Sequence, residues 1–261
     1  MFRKLFYLVS LARVFSMLST KSYKILTILC LAVCFSSFAY AQKVAAVKGH
    51  VSSSVETMVA EYATEVVTYG EGAADISEMW ADLDSFDIIW LGYPGNNAAV
   101  FDTFTANADA FQTWLAKGGK FVATTASSDV HQVYELMPGT VATQNQHRSC
   151  ETAHVVDPSH PIVTMPNDIS DDAYYDAWGW TSGDIYIEYD GYDVITRETD
   201  NANSGPTWIV HKSKPIVLTT IQPTWPDHAH PEMVQNIFEY VQSMVVVSYE
   251  YASSTLSRLI M

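Results

Sequence analysis

The stretch Phe86-Asp87-Ile88-Ile89-Trp90-Leu91 is near-continuously apolar and runs directly into Gly92-Tyr93-Pro94-Gly95-Asn96-Asn97. A strand without a polar face has to be covered on both sides, which is the situation inside a parallel sheet. The Gly/Pro/Asn cluster then stops it with turn chemistry. Two other runs have the same form. Lys43 to Val47 leads into Gly49, His50 and Ser52-Ser53-Ser54; Lys120 to Thr124 leads into Thr125-Ala126-Ser127-Ser128-Asp129.

Helical spacing fills the intervals. Val55, Met58, Val59 and Tyr62 form one apolar face, with the preceding serines as N-cap candidates. Glu65 to Thr68 is a short β-branched run before Gly70 and Gly72, and Ile76, Met79, Trp80 and Leu83 again have helical spacing. Asp102 to Lys117 predicts a single helix, with Phe104, Ala108, Phe111, Trp114 and Leu115 on one face and Gly118-Gly119 as its stop. A short helix is expected over Val130 to Leu136.

Strands alternating with helices imply parallel pairing through right-handed crossovers. The expected architecture is α/β: a three-layer α/β/α sandwich on a mostly parallel sheet. From Thr140 to Gly205 the alternation breaks, so a β-rich segment is expected to be inserted there. Within it Ala153 to Val156, Ile185 to Tyr189 and Tyr192 to Thr196 read as strands, the last two as a hairpin across Asp190-Gly191. Thr207 to His211 and Ile216 to Ile221 bracket a turn, and Pro231 to Met244 is a closing amphipathic helix with proline at its first position.

The first 41 residues read as a secretory signal. Lys21 and Lys24 precede the apolar run Ile25 to Val33, and Ala39-Tyr40-Ala41 is a small-x-small cleavage site that leaves Gln42 as the mature N-terminus. Met1 and Met17 are alternative starts. Leu31-Ala32-Val33-Cys34 has the outline of a lipoprotein box, but Val33 is a poor residue before the cysteine and the Ala-Tyr-Ala site competes. The run is too short for a stable membrane span, so none is expected after cleavage. The expected location is secreted or periplasmic, with the domain at 42–244 and a tail at 245–261.

Five of the 14 basic residues lie in the leader, which holds no acidic residue, so the mature chain sets nine basic against 29 acidic residues, a net charge of −20. Such a surface repels phosphate backbones and anionic membranes, which excludes nucleic acid as a partner class. Cys30 and Cys34 leave with the leader. Cys150 stands alone, so no intrachain disulfide can form after cleavage.

The Phe86-to-Leu91 strand, the helix after it and Trp114-Leu115-Ala116-Lys117-Gly118-Gly119-Lys120-Phe121-Val122 together resemble a signature of class I glutamine-amidotransferase-like domains. His154-Val155-Val156-Asp157-Pro158-Ser159-His160-Pro161-Ile162-Val163 is similar to the V-x-D-x-x-H-P-I segment of the trehalose-utilisation (ThuA-like) branch. Asp171-Asp172-Ala173-Tyr174-Tyr175 approximates its D-E-x-Y motif, and the runs Gly205 to Val210 and Lys214 to Ile221 resemble its paired strands. The resemblance spans about residues 43 to 243 and implies a flavodoxin-like, amidotransferase-like fold. It also exposes departures. The family's nucleophile is a cysteine in a G-x-C-x-G elbow, whereas the matching strand here ends in Thr-Thr-Ala-Ser-Ser-Asp; and Gln222-Pro223 replaces the G-H near the last strand. Amidotransferase activity is therefore not expected.

In such folds ligands lie beyond the carboxyl ends of the strands. That places His50, Tyr93, Asn96, Ser127 and Asp129 as ligand-binding candidates, joined by Trp178 and Trp225 from an aromatic- and Asp-rich second half suited to stacking a sugar. Ser128 stands where an elbow nucleophile would, with His147, His154 or His160 as possible bases; Ser127 or Ser128 equally suits capping of the next helix. His160 is also the position that the resemblance marks. Cys150, between Arg148 and neighbouring histidines, is a third catalytic candidate, against the plainer role of a buried thiol. His228 and His230, beside Asp227 and Glu232, are candidate ligands of a divalent metal; no other cofactor is indicated. Three functions fit: a domain binding a small polar ligand such as a carbohydrate, a sugar-processing or metal-dependent enzyme, and a non-catalytic interaction module.

Overall fold

The computed structural model describes residues 42–49, 54–92, 99–124, 131–145, 153–175, 184–224 and 229–244, all within the compact unit Gln42–Met261. Its centre is an eight-stranded sheet. The strands are β1 (Lys43–Lys48), β2 (Glu65–Gly70), β3 (Ile88–Leu91), β4 (Lys120–Thr124), β6 (His154–Val155), β8 (Tyr192–Arg197), β9 (Pro206–His211) and β10 (Ile216–Thr219), while β5 (Thr140–Asn145) and β7 (Asp184–Asp190) form a separate pair. The order is β2-β1-β3-β4-β10-β9-β8-β6. The first four neighbouring pairs are parallel and the last three antiparallel. The three apolar runs β1, β3 and β4 stand side by side and point the same way.

Their alternation sorts the core. Val44, Ala46, Ile88, Trp90, Val122 and Val217 face one helical layer, made by α1 (Val55–Val59), α6 (Pro161–Thr164) and α7 (Pro231–Ser243). Ala45, Val47, Ile89, Leu91, Phe121 and Leu218 face the other, made by α2 (Ile76–Ala81), α3 (Ala99–Ala106), α4 (Ala108–Ala116) and α5 (His131–Tyr134). The result is the three-layer α/β/α sandwich. Phe104, Phe111, Phe121 and Trp80 interlock edge to face on the second side, with Phe104 and Phe111 centroids 5.4 Å apart. Such offset pairs add to plain burial.

On the first side α7 buries Met233, Val234, Ile237, Phe238 and Val241. Asn236 is buried among them without an unmet polar atom. Its amide nitrogen donates to Ile162 O (3.0 Å) and Asn167 O (2.9 Å), and its oxygen accepts from Asn167 N (2.9 Å), so this one side chain ties α7 to the segment after α6.

Three expectations change. The helix predicted over 102–117 is two helices, starting three residues earlier and broken at Asn107. The Asn107 amide donates to Thr103 O (2.8 Å), a local bond that competes with the continuing helix. Asp190-Gly191 is a bend and not a hairpin. Gly191 has φ +86°, but Asp190 still pairs with Thr140, so β7 belongs to the small sheet while β8 pairs with β9 and β6. The strand expected over 153–156 shortens to two residues at the sheet edge. The small sheet packs onto the α2–α5 side through Val141 and Tyr186.

Candidate functional site

Chain order reverses direction across the sheet between β1 and β3: the chain leaves β1 for β2 on one flank and returns to β3 on the other. Beyond the carboxyl ends at such a switch point open α/β sheets hold their ligands. Lys48, the last residue of β1, stands there. Continuing the parallel register places Lys48, Gly92 and Thr124 in one row, which runs on through Thr219 to Trp208.

Lys48 is an unusual residue to close an apolar strand, being only 6% exposed. A buried ammonium needs a partner, and Glu56 on α1 supplies it, Nζ to Oε1 at 2.6 Å. Glu56 Oε2 is buried and accepts no hydrogen bond among the described residues. The turn into α1 is fixed by Ser54, whose N and Oγ both donate to Thr224 O, at 3.1 and 2.5 Å. Ser54 occupies the N-cap position without a side-chain cap bond, because its hydroxyl is spent on this tie. Thr224 is fully buried and its own Oγ1 is unpartnered among the described residues, as is Trp208 Nε1 at the far end of the row. Along the same row, Thr124 accepts from Trp90 Nε1 (3.1 Å) and donates to Leu91 O (3.1 Å), locking the end of β4 to β3. Gly70, beside Lys48 on β2, has φ +100°; a Cβ there would come within 2.0 Å of Lys48 O, so only glycine lets the strands close at this rim.

His160 sits at the opposite rim. It follows β6, which runs antiparallel to β8, and its ring packs on Tyr240 near the end of α7 at 5.4 Å. It is the N-cap of α6: Nδ1 accepts from Ile162 N at 3.2 Å, with Pro161 in the first helical position. Burial holds its pKa below the usual histidine value, against the pull of Asp157 and Asp193. His160 therefore uses Nδ1 to cap a helix, at the rim opposite the carboxyl end of β4. His230 does lie at the carboxyl rim, preceding α7, with Tyr174 edge-on to its ring at 5.4 Å. Burial pushes the Tyr174 hydroxyl far up, and the carboxylate of Glu232 adds to the shift. Among the described residues no group of three or more His, Cys, Asp or Glu side chains is arranged to hold a metal ion.

His50, Tyr93, Asn96, Ser127, Ser128, Asp129, Cys150, Trp178, Trp225 and His228 lie outside the described residues. What the sequence reading missed is the Lys48–Glu56 pair, for which a lysine ending an apolar strand was the available signal. It also missed a bond between His154 and Asp172: Nδ1 meets Oδ2 at 2.5 Å, while Oδ1 accepts from Val155 N at 2.7 Å. A cleft of about 430 Å³ lined by Trp80, Asp84, Asp109, Thr113 and Lys117 lies at the amino ends of β3 and β4, away from this rim.

No protein-family model and no curated protein matches the chain. Among solved structures, a GMP synthase subunit from Thermoplasma acidophilum superposes with TM-score 0.53 at 13% identity, covering 78% of this chain and 96% of that one. The fold is glutamine-amidotransferase-like. A glutamine amidotransferase from Thermotoga maritima is also similar, with TM-score 0.45 at 11% identity over 77% of this chain and 83% of that chain. At these identities the likeness is one of architecture. The resemblance read from the sequence thus holds at the level of the fold. The strand β4 leads into Thr125-Ala126-Ser127-Ser128, without cysteine.

Proposed function

We propose that the mature chain is an exported, ThuA-like binding domain without amidotransferase activity, which takes a small polar ligand, a carbohydrate, at the β1/β3 crevice. The observation that carries this reading is the buried Lys48–Glu56 pair at the switch point, with Glu56 Oε2 and Thr224 Oγ1 left unpartnered among the described residues. Buried polar atoms without partners cost free energy that a ligand or an ordered water recovers. Lys48 keeps two N–H donors after meeting Glu56, and Oε2 is a free acceptor. A hydroxyl can donate to the carboxylate while its neighbour accepts from the ammonium, so adjacent hydroxyls of a sugar match the pair and leave it neutral. The acidic surface supports a neutral ligand over an anion.

The test is thermal-shift screening of residues 42–261 against neutral mono- and disaccharides, amino acids and sugar phosphates, since a ligand of the native state raises its melting temperature. The expected result is a rise with one or more neutral sugars, lost in a folded Lys48→Met/Glu56→Leu double variant, with no ammonia released from glutamine. Failure of every compound to move the melting temperature would refute the binding reading. Export is tested separately by the N-terminal mass of the protein recovered from culture, expected to begin at Gln42.

A further inference from the structure

We propose that His154, Asp172 and Arg197 form a second site, a general-base centre that hydrolyses small neutral carboxylic esters. It is independent of the crevice at β1/β3. Six strand spacings separate β1 from β6, which is roughly 29 Å along the sheet.

His154 opens β6, the edge strand, at the carboxyl rim. Asp172 reaches it from the turn Asp172–Tyr174 and is held in two places: Oδ1 by the Val155 amide, Oδ2 by His154 Nδ1. An edge amide needs a partner, so Oδ1 alone explains the first bond. The second does something else. With Nδ1 donating to a carboxylate, the neutral imidazole carries its lone pair on Nε2, which makes no hydrogen bond among the described residues. The side chain of His154 is 36% exposed.

Arg197 stands directly across from His154 in the antiparallel pair. Such residues share a face, with Cβ atoms about 5 Å apart. Its guanidinium spends one donor, Nη1, on Ser204 O at 2.6 Å. It has no carboxylate partner among the described residues, in a chain where acidic residues outnumber basic ones 29 to 14. A base oriented by a carboxylate, beside a cation with donors to spare, can activate water and receive an oxyanion. The field of the chain favours neutral substrates over anionic ones.

In the step, Nε2 of His154 takes a proton from water as the water oxygen bonds to the acyl carbon. Arg197 stabilises the tetrahedral oxyanion. Collapse breaks the bond to the alkoxide, which takes the proton from Nε2, so ester and water become acid and alcohol. Asp172 positions the imidazole and does not itself touch the substrate. Asp172 and Arg197 are the charged groups set against His154, and Glu198 follows Arg197 in the chain.

The test uses residues 42–261 and 4-nitrophenyl acetate. The expected result is hydrolysis above the buffer rate. His154→Gln should lower kcat at least tenfold with the melting temperature preserved. Asp172→Asn should lower kcat with little change in KM, because the ring loses the partner that orients it, and Asp172→Glu should restore part of the loss. Arg197→Met should lower kcat with little change in KM, as expected for a group that acts on the oxyanion. A folded His154→Gln variant as fast as the parent would overturn the proposal. So would a folded Asp172→Asn variant with unchanged kcat, which marks Asp172 as a strap for the strand edge alone. Hydrolysis at the buffer rate in the parent overturns it outright, and leaves the crevice reading untouched.

Discussion

Replacing Lys48 by methionine keeps the buried stem and removes the ammonium. Glu56 is then left with a carboxylate only 30% exposed, having lost its 2.6 Å partner, while its other oxygen had none among the described residues. Breaking a fully buried pair costs about 3–5 kcal/mol, and the partial exposure of Glu56 lets water recover some of that, so about 2 kcal/mol is expected. Glu56→Gln strands the ammonium instead, whose side chain is 7% exposed. With only an amide oxygen beside it, the cost is larger, about 3 kcal/mol. Lys48→Met/Glu56→Leu removes both charges and both desolvation penalties, and should lie within about 1 kcal/mol of the parent. The assay is urea denaturation of residues 42–261 at neutral pH, read as a change of midpoint at constant slope. The pattern matters more than any single value: the double variant should be more stable than either single one. A double variant as costly as the two singles together, or a Lys48→Met cost below about 0.5 kcal/mol, would refute a buried, mutually dependent pair.

Asn236→Leu should destabilise by about 3 kcal/mol in the same assay, because Ile162 O, Asn167 O and Asn167 N lose their partner; a cost under about 1 kcal/mol would mean that water replaces the amide freely. His160 makes a pH prediction. Its pKa is lowered by burial, so the unfolded chain takes up the proton first as pH falls. Its contribution is therefore complete above the unfolded value near 6.5 and is lost as pH drops from there toward the lower folded value. His160→Asn keeps a capping side chain but cannot titrate, and should show a flatter stability profile across that window; an unchanged slope would assign the acid sensitivity elsewhere, for instance to His211, which burial also depresses.

The sheet was legible because β1, β3 and β4 bury both faces and so carry near-unbroken apolar runs closed by turn residues. The strand β5 was not, since Thr140–Asn145 offers little beyond Val141 and Thr143 to bury and is a strand only because β7 lies beside it. The hairpin expected at Asp190-Gly191 followed from local turn chemistry. What the sequence does not carry is that β7 finds a better antiparallel partner some forty residues upstream and that Gly191 merely turns the chain from one sheet to the next. The break at Asn107 is a similar case, where a side-chain bond to Thr103 O interrupts an apolar periodicity that continues across it. At the site, the rim itself was predictable from strand direction. The Lys48–Glu56 pair was not, because it depends on how the turn into α1 is pinned to Thr224, 170 residues away from Ser54. His154 and Asp172 meet only because a two-residue strand docks at the sheet edge.

The central claim, a ligand site at the carboxyl ends of β1, β3 and β4, is tested most directly by titrating isotope-labelled residues 42–261 with the sugar that raises the melting temperature and following backbone amides. The account predicts shifts concentrated at Lys48, Glu56, Gly92, Thr124 and Thr224. Shifts centred instead on Leu83, Asp109 and Lys117 at the amino rim, with the carboxyl rim silent, would contradict it.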